Sequence, residues 1–283
     1  MELNIIFSRV FSRMELNIVF SSLVIALLIL LPVAIKWEIK IKYALTGALT
    51  FGGLTGVILS WDWLRGNLHF LPLSLLEFIL IIMMTTLAVT ILFYRDPNRK
   101  PPSQKGIIVA PADGTVLYVE KVHKGQVPFS QKKGRKIELK ELAKTSLLAD
   151  TSYLVGIGMN LLNVHVNRAP IDGTVIHLKH TKGSFASLKT FDALLQNERL
   201  TTVIDNGSFK VGVIQIASRL VRRIVSFLNN GDTVQIGQRI GMIKFGSQVD
   251  LVIPELQNLK IKVKPGCEVI AGESVIAEYR NFR

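Results

Sequence analysis

Three long apolar runs fill most of the first 94 residues, and a chain built this way cannot place all of itself in water. Ile18 to Ile35 and Tyr43 to Ser60 carry no charge, and Phe70 to Tyr94 carries only Glu77. Each run is near the roughly 20 residues that a helix needs to cross a bilayer. Lys36, Lys40 and Lys42 lie between the first two runs, and Arg95, Arg99 and Lys100 follow the third. The preference of flanking cations for the inner face puts both groups on the cytoplasmic side. Three spans would then leave the N-terminus on the other side, which Arg9 and Arg13 oppose. Met1 to Ser8 is nearly repeated as Met14 to Ser21, which points to a duplicated start with initiation at Met14 and removes both arginines. The middle run is short and rich in glycine, so its composition also suits a hairpin or an interfacial segment.

From Phe93 onward the chain is polar and mixed, so the apolar excess behind a mean hydropathy of +0.37 sits at the front. Thirty-four Lys and Arg against 21 Asp and Glu give a formal charge of +13. Such a surface suits nucleic acid or an anionic membrane. No segment resembles a nucleic-acid module, and the apolar runs favour anionic lipid as the partner. The single cysteine, Cys267, excludes an intramolecular disulfide and a thiolate metal cluster.

The chemistry is concentrated at Phe245-Gly246-Ser247-Gln248. Gly246 allows the backbone to bend so that the Ser247 hydroxyl can attack the carbonyl before it. Attack gives an ester, and elimination across the serine leaves a new N-terminus that hydrolyses to a pyruvoyl ketone. A base must take the hydroxyl proton and a further group must orient that base. His165, in Val164-His165-Val166-Asn167-Arg168-Ala169-Pro170, is the candidate base. Asp113, in Pro111-Ala112-Asp113-Gly114-Thr115-Val116, is the candidate orienter, a short carboxylate in a turn. Alone, a histidine between valines is more often a core residue, and an aspartate in a turn more often a backbone cap. Their combination with the Gly-Ser pair is what points to catalysis.

With Phe93-Tyr94-Arg95-Asp96-Pro97-Asn98-Arg99, Val213 to Ala217 followed by Arg222-Arg223-Ile224, and Gly231 to Gly241, these motifs occur in the order found in the phosphatidylserine decarboxylase family. The chain resembles that family from Phe93 to its end. The resemblance implies self-cleavage into 1–246 and 247–283, two products that remain associated, and a pyruvoyl group formed from Ser247. It implies a Schiff base with the serine amine and conversion of phosphatidylserine to phosphatidylethanolamine, with no metal. Asp113, His165 and Ser247 match the family's processing triad. Arg168 is a candidate for holding the lipid phosphate, with a structural ion pair as the alternative. The expected place is the membrane, with the catalytic domain on the cytoplasmic side, and a homo-oligomer is compatible with this reading. Two departures stand out. The cleavage site reads Phe-Gly-Ser-Gln rather than Leu-Gly-Ser-Thr, and Asn163 occupies a place that is acidic in many relatives, which leaves Asp113 to orient His165 alone. Another phosphoserine lipid, such as archaetidylserine, is the alternative substrate. A membrane-anchored serine hydrolase is the competing enzyme class, although the Gly-x-Ser-x-Gly elbow is missing.

Two internal repeats indicate the fold. Pro111-Ala112-Asp113-Gly114-Thr115-Val116 recurs as Pro170-Ile171-Asp172-Gly173-Thr174-Val175, and Gly231 to Ile240 recurs as Gly266 to Val275. Each copy reads as a turn leading into a strand. The expected class is α+β, mostly β: an internally duplicated barrel- or sandwich-like catalytic domain over 95–283, preceded by a hydrophobic membrane region over 1–94. Strands are expected at Tyr153 to Gly158, Val211 to Ile216 and Asp250 to Ile253, and a helix at Phe185 to Glu198. The hexapeptide alone leaves open whether Asp113 or Asp172 faces the catalytic centre; the resemblance selects Asp113.

Overall fold

The computed structural model describes residues 13–37, 39–61, 70–127, 137–183, 196–217, 224–244 and 247–279. Two compact units meet at Phe93 and Tyr94. The repeated Met1 to Ser8 and most of the helix expected from Phe185 lie outside the described residues.

In the first unit, helix α1 is Arg13–Lys36. The middle run forms α2 (Ile41–Gly47) and α3 (Gly53–Leu59), joined without a break by a wider π turn over Ala48–Gly52. Helix α4 is Phe70–Tyr94. Glu15–Lys36, Ile41–Leu59 and Pro72–Tyr94 are each long and apolar enough to cross a membrane. The glycines of the middle run have a packing role. A Cβ on Gly52 would lie 2.8 Å from the Ser22 carbonyl oxygen, and one on Gly56 would lie 2.6 Å from Val19 Cα. Small residues let helix backbones approach this closely where no hydrophobic force drives them together. The one acidic residue of α4, Glu77, is buried and accepts hydrogen bonds from Ser21 Oγ at 2.7 Å and Ser22 Oγ at 3.0 Å. Both hydroxyls reach Oε1 and supply it with partners among the apolar helices, while Oε2 is buried with no partner among the described residues.

Among the described residues of the second unit the regular structure is nearly all strands. In chain order they are β1 (Ile107–Val109), β2 (Gly114–Val122), β3 (Gln126–Val127), β4 (Ile137–Glu138), β5 (Ser152–Met159), β6 (Val166–Arg168), β7 (Gly173–Thr181) and β8 (Arg199–Asp205). There follow β9 (Lys210–Ala217), β10 (Ile224–Ser226), β11 (Thr233–Val234), β12 (Arg239–Ile243), β13 (Ser247–Pro254), β14 (Lys260–Ile261), β15 (Glu268–Val269) and β16 (Val275–Glu278). The three expected strands are the cores of β5, β9 and β13. A short helix, α5, spans Leu139–Ala143.

An eight-stranded sheet runs in the order β11-β7-β8-β9-β13-β5-β2-β15, with three-stranded sheets β10-β12-β6 and β1-β16-β14 beside it. Strand β13 is antiparallel to β5 and to β9. Because side chains alternate along a strand, its two faces enter different cores. Val249, Leu251 and Ile253 join the larger core with Val155, Ile157 and Val213. Val252 faces the smaller one, with Leu139, Leu142, Ile214 and Ile216.

The repeats correspond to a real duplication. Gly114 and Gly173 open β2 and β7 at φ of 152° and 158°. A Cβ at either would overlap a neighbouring strand's carbonyl oxygen, that of Gly158 or of Asp205. Each copy then pairs with a strand from the second repeat, Val269 opposite Gly114 and Val234 opposite Gly173. The copies also join each other, since Val109 N donates to Pro170 O at 3.0 Å and Arg168 N to Pro111 O at 2.9 Å.

Candidate active site

Ser247 is the first residue of β13, and its Cα partners are Met159 on β5 and Ala217 on β9. Phe245 and Gly246 lie outside the described residues. The strand before them, β12, pairs with β6, and Ile243 N donates to His165 O at 3.2 Å. Four residues after Ile243 the chain reaches Ser247. The topology therefore brings the serine and the histidine, far apart in sequence, to the same end of the sheet.

His165 is completely buried. Burial pushes its pKa down to about 4, and the Arg95 cation acts in the same direction; the Asn163 backbone and the Asp113 carboxylate oppose them. The imidazole is neutral at physiological pH and so is able to accept a proton. This base is lost as pH falls through about 4. Cleavage of freshly synthesised precursor should therefore be independent of pH from about 6 to 8 and collapse only near the lower value. A fall in rate centred near the ordinary histidine value of about 6.5 would contradict this.

Asp113 is fixed by four hydrogen bonds from three residues. Arg99 forms a two-pronged ion pair with it, Nη1 to Oδ1 at 2.5 Å and Nη2 to Oδ2 at 2.8 Å. Ala271 N donates to Oδ1 at 2.8 Å, and Val164 N donates to Oδ2 at 3.3 Å. The last bond holds the residue immediately before His165. The loop leading there is held further by Arg95, whose Nη2 donates to Leu162 O at 2.6 Å.

Arg168 is 3% exposed, and its donors go to protein oxygens: Gly237 O at 2.9 Å, Pro97 O at 2.8 Å and Asp96 Oδ1 at 3.1 Å. Asp96 is shared with Arg239 Nε, and Arg239 Nη2 donates to Asn98 Oδ1 at 3.0 Å. Arg95, Asp96 and Arg99 thus each secure a different part of the site. Their motif is visible in the sequence, but their partners lie at distant positions.

The sequence profile described as phosphatidylserine decarboxylase matches residues 86–277 of this chain. The chain belongs to the phosphatidylserine decarboxylase family. A phosphatidylserine decarboxylase proenzyme of Chlorobium phaeobacteroides is 40% identical over 192 residues, covering 67% of this chain and 79% of that protein. A protein of Methanocaldococcus jannaschii assigned as an archaetidylserine decarboxylase proenzyme is 41% identical over 206 residues, 72% of this chain and 96% of its own. The corresponding protein of Methanothermobacter thermautotrophicus is 40% identical over 201 residues, 70% and 84% of the two chains.

Within this phosphatidylserine decarboxylase fold the repeated aspartates differ in their surroundings. Both cap equivalent turns, Asp113 taking Ala271 N and Asp172 taking Ile236 N at 2.7 Å. Only Asp113 also faces Arg99 and Val164; Asp172 is exposed.

Two buried polar groups near Ser247 escaped the sequence reading. On the larger core face, Gln215 Nε2 donates to Asn167 Oδ1 at 2.7 Å, and both residues are 0% exposed. On the opposite face Asp250, fully buried, accepts from Tyr118 Oη at 2.7 Å and Gln248 Nε2 at 2.6 Å. Their signal is a polar residue inside an apolar strand.

Burial raises the Asp250 carboxyl to about 6, against the pull of Gln248, Tyr118 and the Arg199 charge. An unfolded aspartate titrates near 3.9. Between about pH 4 and 6 the folded protein keeps a proton that the unfolded chain has released, so this group disfavours folding increasingly as pH rises through that window. The stability of Asp250→Asn relative to its parent should therefore climb from pH 4 to about 6 and stay level above it. Denaturant unfolding of the full chain in detergent across pH measures this; a difference independent of pH would refute it.

Proposed function

We propose that this chain is a precursor that cuts itself between Gly246 and Ser247 and then decarboxylates phosphatidylserine to phosphatidylethanolamine. The observation that carries this reading is the convergence of the Ser247 end of β13 with a neutral, buried His165 and a fixed Asp113, in a chain of this family.

In the first phase His165 takes the Ser247 hydroxyl proton as the oxygen bonds to the Gly246 carbonyl carbon. The C–N bond breaks and the nitrogen takes up a proton, leaving an ester and an amine. Loss of the Cα proton of residue 247 then expels Gly246 as a carboxylate, and water replaces the nitrogen, released as ammonia. A ketone remains at the start of β13. Its surroundings suit it, because Met159 and Ala217 flank the position on both sides and are buried. The ketone supplies the carbonyl that takes up the substrate amine and the electron pair freed with carbon dioxide. In each turnover the carbon that loses carbon dioxide takes up one proton, which His165 relays from water. Asp113 holds the backbone beside His165, and the two-pronged ion pair with Arg99 holds Asp113 in place.

Arg168 we assign to the frame rather than to the lipid phosphate, because its guanidinium is buried among Asp96, Pro97 and Gly237. Lys100 and Lys105 are exposed and suit anionic lipid, at roughly 1 kcal/mol each. The cations flanking the apolar helices support a cytoplasmic position for the catalytic unit. The cleaved pieces stay together because the smaller one contributes β13, inserted between β5 and β9, as well as β15 and β16, paired with β2 and β1.

The 41% identity to the Methanocaldococcus protein supports a second substrate reading, archaetidylserine. Presenting the purified chain with vesicles of each lipid tests the choice. Carbon dioxide and phosphatidylethanolamine should appear from phosphatidylserine; turnover of archaetidylserine alone would transfer the assignment to the second lipid.

A further inference from the structure

On the faces of β5, β9 and β13 that line the larger core, Gln215 is a fully buried polar side chain among apolar neighbours. Its Cα partners are Val249 on β13 and Leu200 on β8. Ala217, two residues on, is the partner of Ser247. Gln215 is thus the diagonal neighbour of position 247, a separation of about 7 Å that a long side chain can bridge. Asn167, two residues after His165, points its Nδ2 toward the sulfur of Met159 at 3.9 Å, and Met159 is the other partner of Ser247. The Asn167 oxygen therefore faces Gln215 and receives its Nε2 at 2.7 Å. That bond leaves Gln215 Oε1 as a buried acceptor with no donor among the described residues. Gly241 lies against this amide: a Cβ there would meet the Val225 carbonyl oxygen at 2.6 Å and Gln215 Nε2 at 3.3 Å.

A buried oxygen that lacks a donor in the intact chain has an explanation if its donor arrives with the chemistry. We propose that Gln215 is a positioning residue for the nitrogen attached to Cα of residue 247. The inference rests on the self-cleavage reading. In the precursor that nitrogen belongs to the scissile peptide bond. When the Ser247 oxygen bonds to the Gly246 carbon and the C–N bond breaks, the nitrogen becomes an amine with an additional N–H to donate. In the mature enzyme the same carbon is the ketone carbon, and the nitrogen that bonds there comes from the substrate. Gln215 Oε1 accepts from this nitrogen in both phases, while Asn167 holds the amide and ties it to the His165 strand.

Gln215→Met keeps the length of the side chain and removes the acceptor. Cleavage of newly made full-length chain, followed by intact mass, should slow by about tenfold to a hundredfold. The fraction that matures should show a similarly reduced kcat on phosphatidylserine vesicles with KM unchanged. Val213→Ala, on the same core face and opposite Leu251, is the control for lost packing. It should lower the melting temperature of an uncleavable Ser247→Ala chain at least as much as Gln215→Met does, yet mature at the wild-type rate. Wild-type cleavage in Gln215→Met, or slowing of both variants in proportion to their melting temperatures, would overturn the role of Gln215 alone. A wild-type chain that never cleaves would instead remove the reading beneath it.

Discussion

Ser247→Ala is expected to yield a single chain of the full 31.5 kDa with no measurable decarboxylation. The substitution removes the hydroxyl proposed to attack the Gly246 carbonyl, and with it the proposed source of the ketone. The loss should be at least about 10⁴-fold, the scale on which removal of a covalent nucleophile acts. The fold should survive. Position 247 joins β5 and β9 through its backbone, and alanine has the same backbone groups to offer. Intact mass and circular dichroism of the purified variant together check the expectation. A variant that still divides after residue 246, or that decarboxylates as a whole chain, would show that another group is the nucleophile.

Asp113→Ala is expected to be the most damaging single change to stability. The carboxylate neutralises Arg99, whose side chain is only 8% exposed, and accepts from the backbone of Val164 and Ala271. Its removal strands a buried cation and two buried N–H groups. Breaking a buried pair from one side costs about 3–5 kcal/mol. Asp172→Ala provides the comparison inside the same molecule. That residue caps the equivalent turn with one bond, to Ile236 N, and is exposed, so its loss should cost only about 1 kcal/mol. Denaturant unfolding of both variants in the Ser247→Ala background, in detergent, gives the two values without interference from cleavage. Equal losses would mean that Arg99 and Val164 add nothing to what the turn itself requires.

The same pair of aspartates shows what a sequence of this kind discloses. The repeated hexapeptide announced two equivalent turn-to-strand units, because local chemistry decides them: a glycine without room for a Cβ, then a β-branched run. It could not distinguish Asp113 from Asp172, since they differ in what the carboxylate meets beyond its own turn, and that depends on Arg99 and Val164 arriving from elsewhere. The apolar runs were legible from length and hydropathy. The glycines of the short middle run made a hairpin or an interfacial segment an alternative to a span, yet they are the residues that seat it against α1. The motif from Phe93 to Arg99 was recognised without its mechanics. Asp96, for example, acts on Arg168 and Arg239, 72 and 143 residues away, and no spacing rule encodes such pairings. Asn163 was read as a lost carboxylate, leaving Asp113 to act alone on His165. Its backbone nevertheless favours the charged imidazole, a contribution that any residue type at that position can make. Gln215 carried a usable signal, an amide inside the apolar run from Val211 to Ile216.

The central claim is that this protein makes its carbonyl group from its own backbone, and the intact mass of the purified, active wild-type chain tests it most directly. The account requires two polypeptides, residues 1–246 and 247–283, with the smaller one lighter than the encoded peptide by one ammonia and blocked at its N-terminus. Active protein consisting of one uncut chain, with an unmodified serine at position 247, would contradict it.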